Sequence, residues 1–198
     1  MHMRRLLRGL SRVVRLAASA ARICYLRASY RGLTIGFDSV IGPGCDIQVG
    51  PGGRMLLRGV VVGRGCQIVA GPGATVDIAA ESIGPHSVIV ARDRITIGAG
   101  TLIAEMVVVR DSDHARLAAA PLSEQHHRSS PVSVGRDVWL AARATVLRGV
   151  SIGDGATVGA TAVVTRDVPA AATVAGVPAL PLRPREHASI PLTRGEMP

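Results

Sequence analysis

The 198-residue chain is 47% hydrophobic but only 2% aromatic and carries a formal charge of +9, which suits one domain with a continuous core of small aliphatic side chains. Eight arginines and no acid lie within residues 1–31, leaving 15 basic against 14 acidic side chains in the remainder. A nearly neutral body with no basic stripe interleaved with aromatics excludes a general nucleic-acid-binding surface. Three cysteines without metal-ligand spacing exclude a disulfide framework, so the expected compartment is the reducing cytosol.

The first predicted element is a helix over residues 1–31. Leu6, Leu10, Val13, Ala17, Ala20 and Cys24 recur at three-to-four-residue spacing, and Arg4, Arg8, Arg12, Arg15 and Arg22 fall on the opposite arc. Arg15, Arg22 and Arg27 interrupt every apolar run, so neither a transmembrane span nor the apolar region of a secretory signal fits. Such a helix either caps the first turn of the body or lies in the headgroup layer of an anionic membrane. The sequence leaves both open, and the second would bring the protein to the inner face of the membrane.

Residues 32–176 are predicted to form an all-β solenoid of parallel coils. From Val134 to Pro169 one six-residue phrase repeats six times, opening on Val134, Leu140, Val146, Ile152, Val158 and Val164. A period of six is neither that of a helix nor that of a half-buried strand. Three phrases per coil would stack Val134 over Ile152, Leu140 over Val158 and Val146 over Val164. A small residue four positions on, at Val138, Ala144, Val150, Ala156, Ala162 and Val168, suits a tight corner. Glycine after the aliphatic, as at Gly135, Gly153 and Gly159, is expected to supply the backbone conformation of the turn. Raggeder phrases open at Ile35, Ile41, Val62, Ile83, Ile97, Ile103 and Val109, and Cys45 and Cys66 occupy their small positions as core thiols.

The phrases at Ile97, Ile103 and Val109 predict another opening at residue 115, yet the regular series resumes at Val134, so about nineteen residues, 115–133, are inserted as a loop. Its base is the segment Asp111-Ser112-Asp113-His114, and it carries His126 and His127. An imidazole beside carboxylates suits a general base, because a carboxylate on one ring nitrogen fixes the tautomer and leaves the other free to take a proton. Either Asp111 or Asp113 could orient His114. Arg92 and Glu105, on the preceding coils, could line an acceptor pocket or simply face solvent. Residues 177–198 read as a C-terminal tail.

Taken together, the repeats, the DSDH segment with its loop, and the run from Trp139 to Ala179 resemble the left-handed β-helix hexapeptide-repeat acyltransferases over roughly residues 32–183, most closely the galactoside, maltose and polysaccharide O-acetyltransferases. The resemblance implies a left-handed parallel β-helix, acetyl-CoA as co-substrate without a metal, and a homotrimer with active sites between subunits. It implies His114 as catalytic base and the amide of Ala142 as oxyanion donor. It further implies Trp139, Ala141, Ala142, Ala160, Thr165, Arg166 and Arg183 along the coenzyme path, the arginines at its phosphates. Ala141 stands where the family usually has glycine, and Ala160 lies within GAT rather than GAG.

The expected acceptor is a sugar hydroxyl on a glycan or glycolipid. Acetyl transfer to an amine, or a serine-type acetyltransferase, is possible on the same scaffold. So is a non-catalytic β-helix that docks a partner. A γ-type carbonic anhydrase site would need a third zinc ligand beside His86 and His114, and residues 115–125 contain no histidine to supply one.

Overall fold

A computed structural model describes residues 2–115, 121 and 126–182, with side chains from Val13 onward. Apart from one helix, α1 (His2–Ser29), and one two-stranded antiparallel hairpin, the strands of the described residues lie in three sheets, parallel except for the last strand, Leu180–Pro181. Each turn of chain contributes one strand to each sheet, as a three-faced solenoid requires. Ile35, Leu57, Ile78, Ile97, Val134 and Ile152 point inward from the first face. Ile41, Val62, Ile83, Ile103, Leu140 and Val158 do so from the second. Ile47, Ile68, Ile89, Val109, Val146 and Val164 line the third. All are buried. The three stacks expected from the six-residue period occur in register, and each coil buries its apolar ladder against its neighbours.

The raggedness of the N-terminal half has a structural cause. Ile47, Ile68 and Ile89 are successive members of one column and lie 21 residues apart, against the regular 18 from Val134 to Ile152. The strands flanking the corner between the third and first faces are longer there: Asp46–Val49 and Arg54–Leu57 have four residues each, where Thr145–Val146 and Ser151–Ile152 have two. The insert leaves from this same corner.

The glycines after the aliphatic residues do not supply the turn conformation. Positive φ falls two residues later, at Asp137, Gly155 and Thr161. At Gly153 a Cβ would lie 2.4 Å from the Ala170 amide nitrogen of the next coil, and at Gly135 2.7 Å from that of Asp154. These positions need glycine because two backbones pass too closely for a side chain.

At the small position between the second and third faces, Cys45, Cys66 and Ser87 form one column. Their side chains donate to the carbonyls of Gly63, Gly84 and Ala104 one coil on. The bond with Cys45, together with burial, pushes the Cys66 thiol up. Cys24 is free and exposed.

The last part of α1 covers the open edge of the first coil. Ser19 is buried and its hydroxyl accepts the Ile41 N–H at 2.8 Å, while the Arg22 guanidinium donates to the Ile41 carbonyl at 3.0 and 2.7 Å. Ile23 joins the core, with Leu26 and Tyr30 packed beside it. An open sheet edge offers unpaired backbone groups for adventitious pairing, and these contacts satisfy those of Ile41. The docking face is therefore not the predicted apolar arc. Arg22, expected on the polar side, turns toward the coil, whereas Val13, Ala17, Ala20 and Cys24 face solvent. Hydrogen-bonding groups are needed at a strand edge and a purely apolar stripe could not provide them. No helix among the described residues is long and apolar enough to cross a membrane.

At the other end, Thr173–Ala175 extends the second face and Leu180–Pro181 folds back antiparallel against it. Residues 177–182 thus form an edge cover rather than a free tail. Arg183 lies outside the described residues.

Candidate active site

The insert opens as a β-hairpin. Ser112–His114 pairs antiparallel with His127–Ser129, so the departure begins at residue 112, and Val132 is already back in the first face beside Ile95. The hairpin stem is clamped from both sides. The Ser130 N–H donates to the Asp111 carbonyl at 2.8 Å, and the Ser130 carbonyl accepts the Gly149 N–H at 3.0 Å. Asp111 is wholly buried, and its two carboxylate oxygens accept the amides of Arg92 and Asp93 at 2.8 and 2.7 Å. Its acceptors are thus directed at the preceding corner and not at the His114 ring.

Asp113 is held elsewhere. Its carboxylate accepts Arg148 Nε at 2.7 Å, from the coil that follows the insert. The partner of His114 is instead His127, directly across the hairpin, with ring centroids 4.2 Å apart and planes inclined by 45°. Desolvation, then Arg92 and His114, hold the His127 pKa below the ordinary histidine value. Period and spacing could not reveal this pairing. It depends on hairpin register, for which the sequence offers two adjacent histidines, His126 and His127, and no rule for choosing.

Both imidazoles open on a cleft of about 460 Å³ bounded by Val90, Arg92, Arg110, Ser112 and Asp113. Arg110 is the cross-strand neighbour of Val90, and Arg92 lies at the corner just beyond it, so the two arginines come from adjacent coils. Glu105 is exposed and does not line this cleft.

The remaining predicted residues lie on the C-terminal coils. Trp139 is 52% exposed on the outer side of the second face, with Leu102 beside it. Ala141 is buried, one coil from Gly159 by the register of Leu140 with Val158. Its methyl therefore faces a position without a side chain. Ala142 follows at the corner; its carbonyl accepts the Thr161 N–H at 2.9 Å, and its own N–H has no intrachain partner among the described residues. Ala160, Thr165 and Arg166 are exposed. His86 lies at the corner between the second and third faces with φ of 60°, away from the corner that carries His114. Among the described residues no three His, Cys, Asp or Glu side chains are grouped to hold a metal.

Residues 131–166, which contain the regular coils, match the family model described as bacterial transferase hexapeptide (six repeats). These residues are a hexapeptide-repeat segment of the parallel β-solenoid. The chain is 37% identical over 103 residues to WbbJ of Escherichia coli K12, whose name assigns it to lipopolysaccharide biosynthesis as an O-acetyl transferase; the match covers 48% of this chain and 53% of WbbJ. It is 55% identical over 51 residues to 2,3,4,5-tetrahydropyridine-2,6-dicarboxylate N-acetyltransferase of Staphylococcus aureus, covering 26% of this chain and 21% of that one. The chain thus spans about half or less of the length of these curated relatives. Among solved structures, a point variant of the N-acyltransferase AntD from Bacillus cereus, in complex with dTDP-4-amino-4,6-dideoxyglucose and coenzyme A, superposes with a TM-score of 0.53 at 16% identity. That match covers 82% of this chain and 90% of AntD. At that identity the likeness concerns the fold, a left-handed parallel β-helix.

Proposed function

We propose that the chain is an acetyl-CoA-dependent acyltransferase that O-acetylates a sugar hydroxyl. The observation that carries this reading is His114, exposed at the mouth of a cleft on a hairpin that leaves a hexapeptide-repeat solenoid. WbbJ, with its O-acetyl transferase name, supports the hydroxyl acceptor, and the N-acetyltransferase among the relatives keeps an amine acceptor as the alternative. In the proposed reaction His114 takes the proton of the acceptor hydroxyl as its oxygen bonds to the thioester carbonyl carbon. The carbon–sulfur bond then breaks, and the proton passes from His114 to the departing thiolate. The amide of Ala142, without a partner among the described residues, is available to donate to the carbonyl oxygen as it gains negative charge, a contribution of about 2.7 to 4 kcal/mol for such donors.

Acetyl-CoA fits the chemistry of the C-terminal coils. Ala160 exposes backbone to a pantetheine arm, Trp139 and Ala141 border the same face, and Thr165 and Arg166 offer a hydroxyl and a guanidinium to phosphates. Among the described residues Arg166 has no carboxylate partner. Arg183 is assigned to the phosphate end by its place in the sequence alone. The two carboxylates have different proposed duties: Asp113, anchored by Arg148, aligns the hairpin strand that carries His114, and Asp111 fixes the base of that hairpin. The test is release of free thiol from acetyl-CoA with glycoside acceptors. His114→Ala should lower kcat by about 10² to 10⁴ with acetyl-CoA binding retained, and near-native turnover would remove the assignment.

A homotrimer is part of the same proposal. Leu102 and Trp139, 44% and 52% exposed, are neighbours on the outer second face, with Val61, 47% exposed, in the same column beyond Ser82, and this apolar surface suits burial against another subunit. Light scattering that finds a fully active monomer refutes it. Membrane attachment through α1 is supported by Val13, Val14 and Leu16, all exposed, on a helix rich in arginine. Because residues 19–30 cap the coil, flotation with anionic liposomes should compare the full chain with Val13→Asp/Leu16→Asp rather than with a truncation. Equal flotation of the two would discard this role for α1.

A further inference from the structure

The cleft beside His114 is more specialised than a general sugar site. Its walls carry two guanidiniums, Arg92 and Arg110, on adjacent coils. Among the described residues neither has an ion-pair partner. The carboxylate that lines the cleft, Asp113, is joined to Arg148. Asp111, next to Arg110 in the chain, is buried with both oxygens on backbone amides, so it does not offset either guanidinium at the cleft surface. The geometry points to an anion-binding subsite in which Arg92 and Arg110 hold a carboxylate or phosphate of the acceptor while its hydroxyl is presented to His114.

Several observations converge on this reading. The coil register fixes the backbone positions of Arg92 and Arg110 on adjacent coils, so both side chains issue beside the same cleft. Their planar forks match an oxyanion in a way that a neutral sugar cannot use. Arg92 also depresses the pKa of His127, which shows that its charge reaches the imidazole pair. An acceptor oxyanion between the arginines would screen that charge and favour the imidazolium that forms when His114 takes the hydroxyl proton. The substrate class is accordingly an anionic sugar, a uronic acid or a sugar phosphate, rather than a neutral glycoside. This specificity rests on the acyl-transfer reading only for the fate of the hydroxyl; binding of the anion does not.

The test separates the two. In the full-length protein without acetyl-CoA, the histidine ring resonances of His114 and His127 are followed by NMR during titration with D-glucuronate, glucose 1-phosphate and D-glucose. The two anions should shift them saturably, their relative affinities telling carboxylate from phosphate, and D-glucose at equal concentration should not. Arg92→Gln/Arg110→Gln should weaken anion binding by about tenfold or more, and Arg92→Lys/Arg110→Lys should keep part of it; far-UV circular dichroism checks that both fold. Equal response to D-glucose, no response to any of the three, or unaltered binding in the glutamine variant overturns the subsite. In a parallel assay, thiol release from acetyl-CoA is compared for p-nitrophenyl β-D-glucuronide and p-nitrophenyl β-D-glucoside, which share the hydroxyls at C2, C3 and C4 and differ at C6, a carboxylate against a primary hydroxyl. A lower KM for the glucuronide that rises in the glutamine variant, with the KM for acetyl-CoA unchanged, supports the subsite. Anion binding without thiol release from any acceptor leaves the subsite standing and removes the acyl-transfer reading, whereas equal turnover of both glycosides does the reverse.

Discussion

Replacing Asp111 by alanine distinguishes a structural clamp from a catalytic partner of His114. The carboxylate is wholly buried and accepts two backbone amides, at 2.8 Å from Arg92 and 2.7 Å from Asp93. Hydrogen bonds to a charged group contribute about 1.5 to 3 kcal/mol each. Arg92 and Asp93 are exposed, so water can recover part of the loss once the side chain is gone. The net destabilisation should be about 2 to 4 kcal/mol, or a fall in Tm of roughly 4 to 16 °C for a domain of this size. The Ser130 bond to the Asp111 carbonyl is a main-chain contact and survives the substitution, so the hairpin keeps its lower anchor. Differential scanning calorimetry reads the stability, and thiol release well below the transition reads the activity. A clamp predicts a large fall in Tm with turnover retained in the cold. An unchanged Tm with a hundredfold loss of kcat would refute the reasoning and return Asp111 to the role of orienting His114.

Gly153→Ala should destabilise by about 1 to 3 kcal/mol, measured by urea unfolding, because its Cβ would stand 2.4 Å from the Ala170 amide nitrogen and neither backbone can withdraw; wild-type stability would show that the coils can separate locally. Arg22→Ala should lower Tm and raise aggregation in light scattering by freeing the Ile41 carbonyl at the edge of the first coil, and an unaffected protein would mean that Ser19 and Ile23 cover it alone. For His127, whose pKa is held low in the folded state, the unfolded chain binds more protons as pH falls below about 6.5, so native stability decreases there and is unaffected well above it. Arg92→Gln should raise that pKa in an NMR titration and reduce the acid sensitivity, and no upward movement would contradict the assigned contact.

Among the features legible in the chain, the six-residue period is the strongest. An aliphatic residue every sixth position admits one economical burial, three inward columns stacked coil on coil, and Val134, Leu140 and Val146 take those places. The departure of the insert was legible for the same reason, as a break in a regular series. The apolar arc of α1 was legible as an arc, but its placement was not, because the coil edge selected Ser19 and Arg22 for their hydrogen bonds over Ala17 and Ala20. The glycines beside the aliphatics were visible, while their purpose, passage of one backbone against the next, depends on a distance between coils that no single coil contains.

The site divides along the same line. By itself the sequence determined that a histidine flanked by carboxylates stands where the solenoid wall opens, since local order along the chain places Asp111, Asp113 and His114 together. Only the tertiary structure decided which groups meet. Asp111 faces the corner one coil earlier, Asp113 meets Arg148 one coil later, and His127 returns across the hairpin to His114. Each of these partners is separated from the DSDH segment by at least thirteen positions along the chain. Stacking and hairpin register, rather than sequence neighbourhood, set the distances over which hydrogen bonds and charges act.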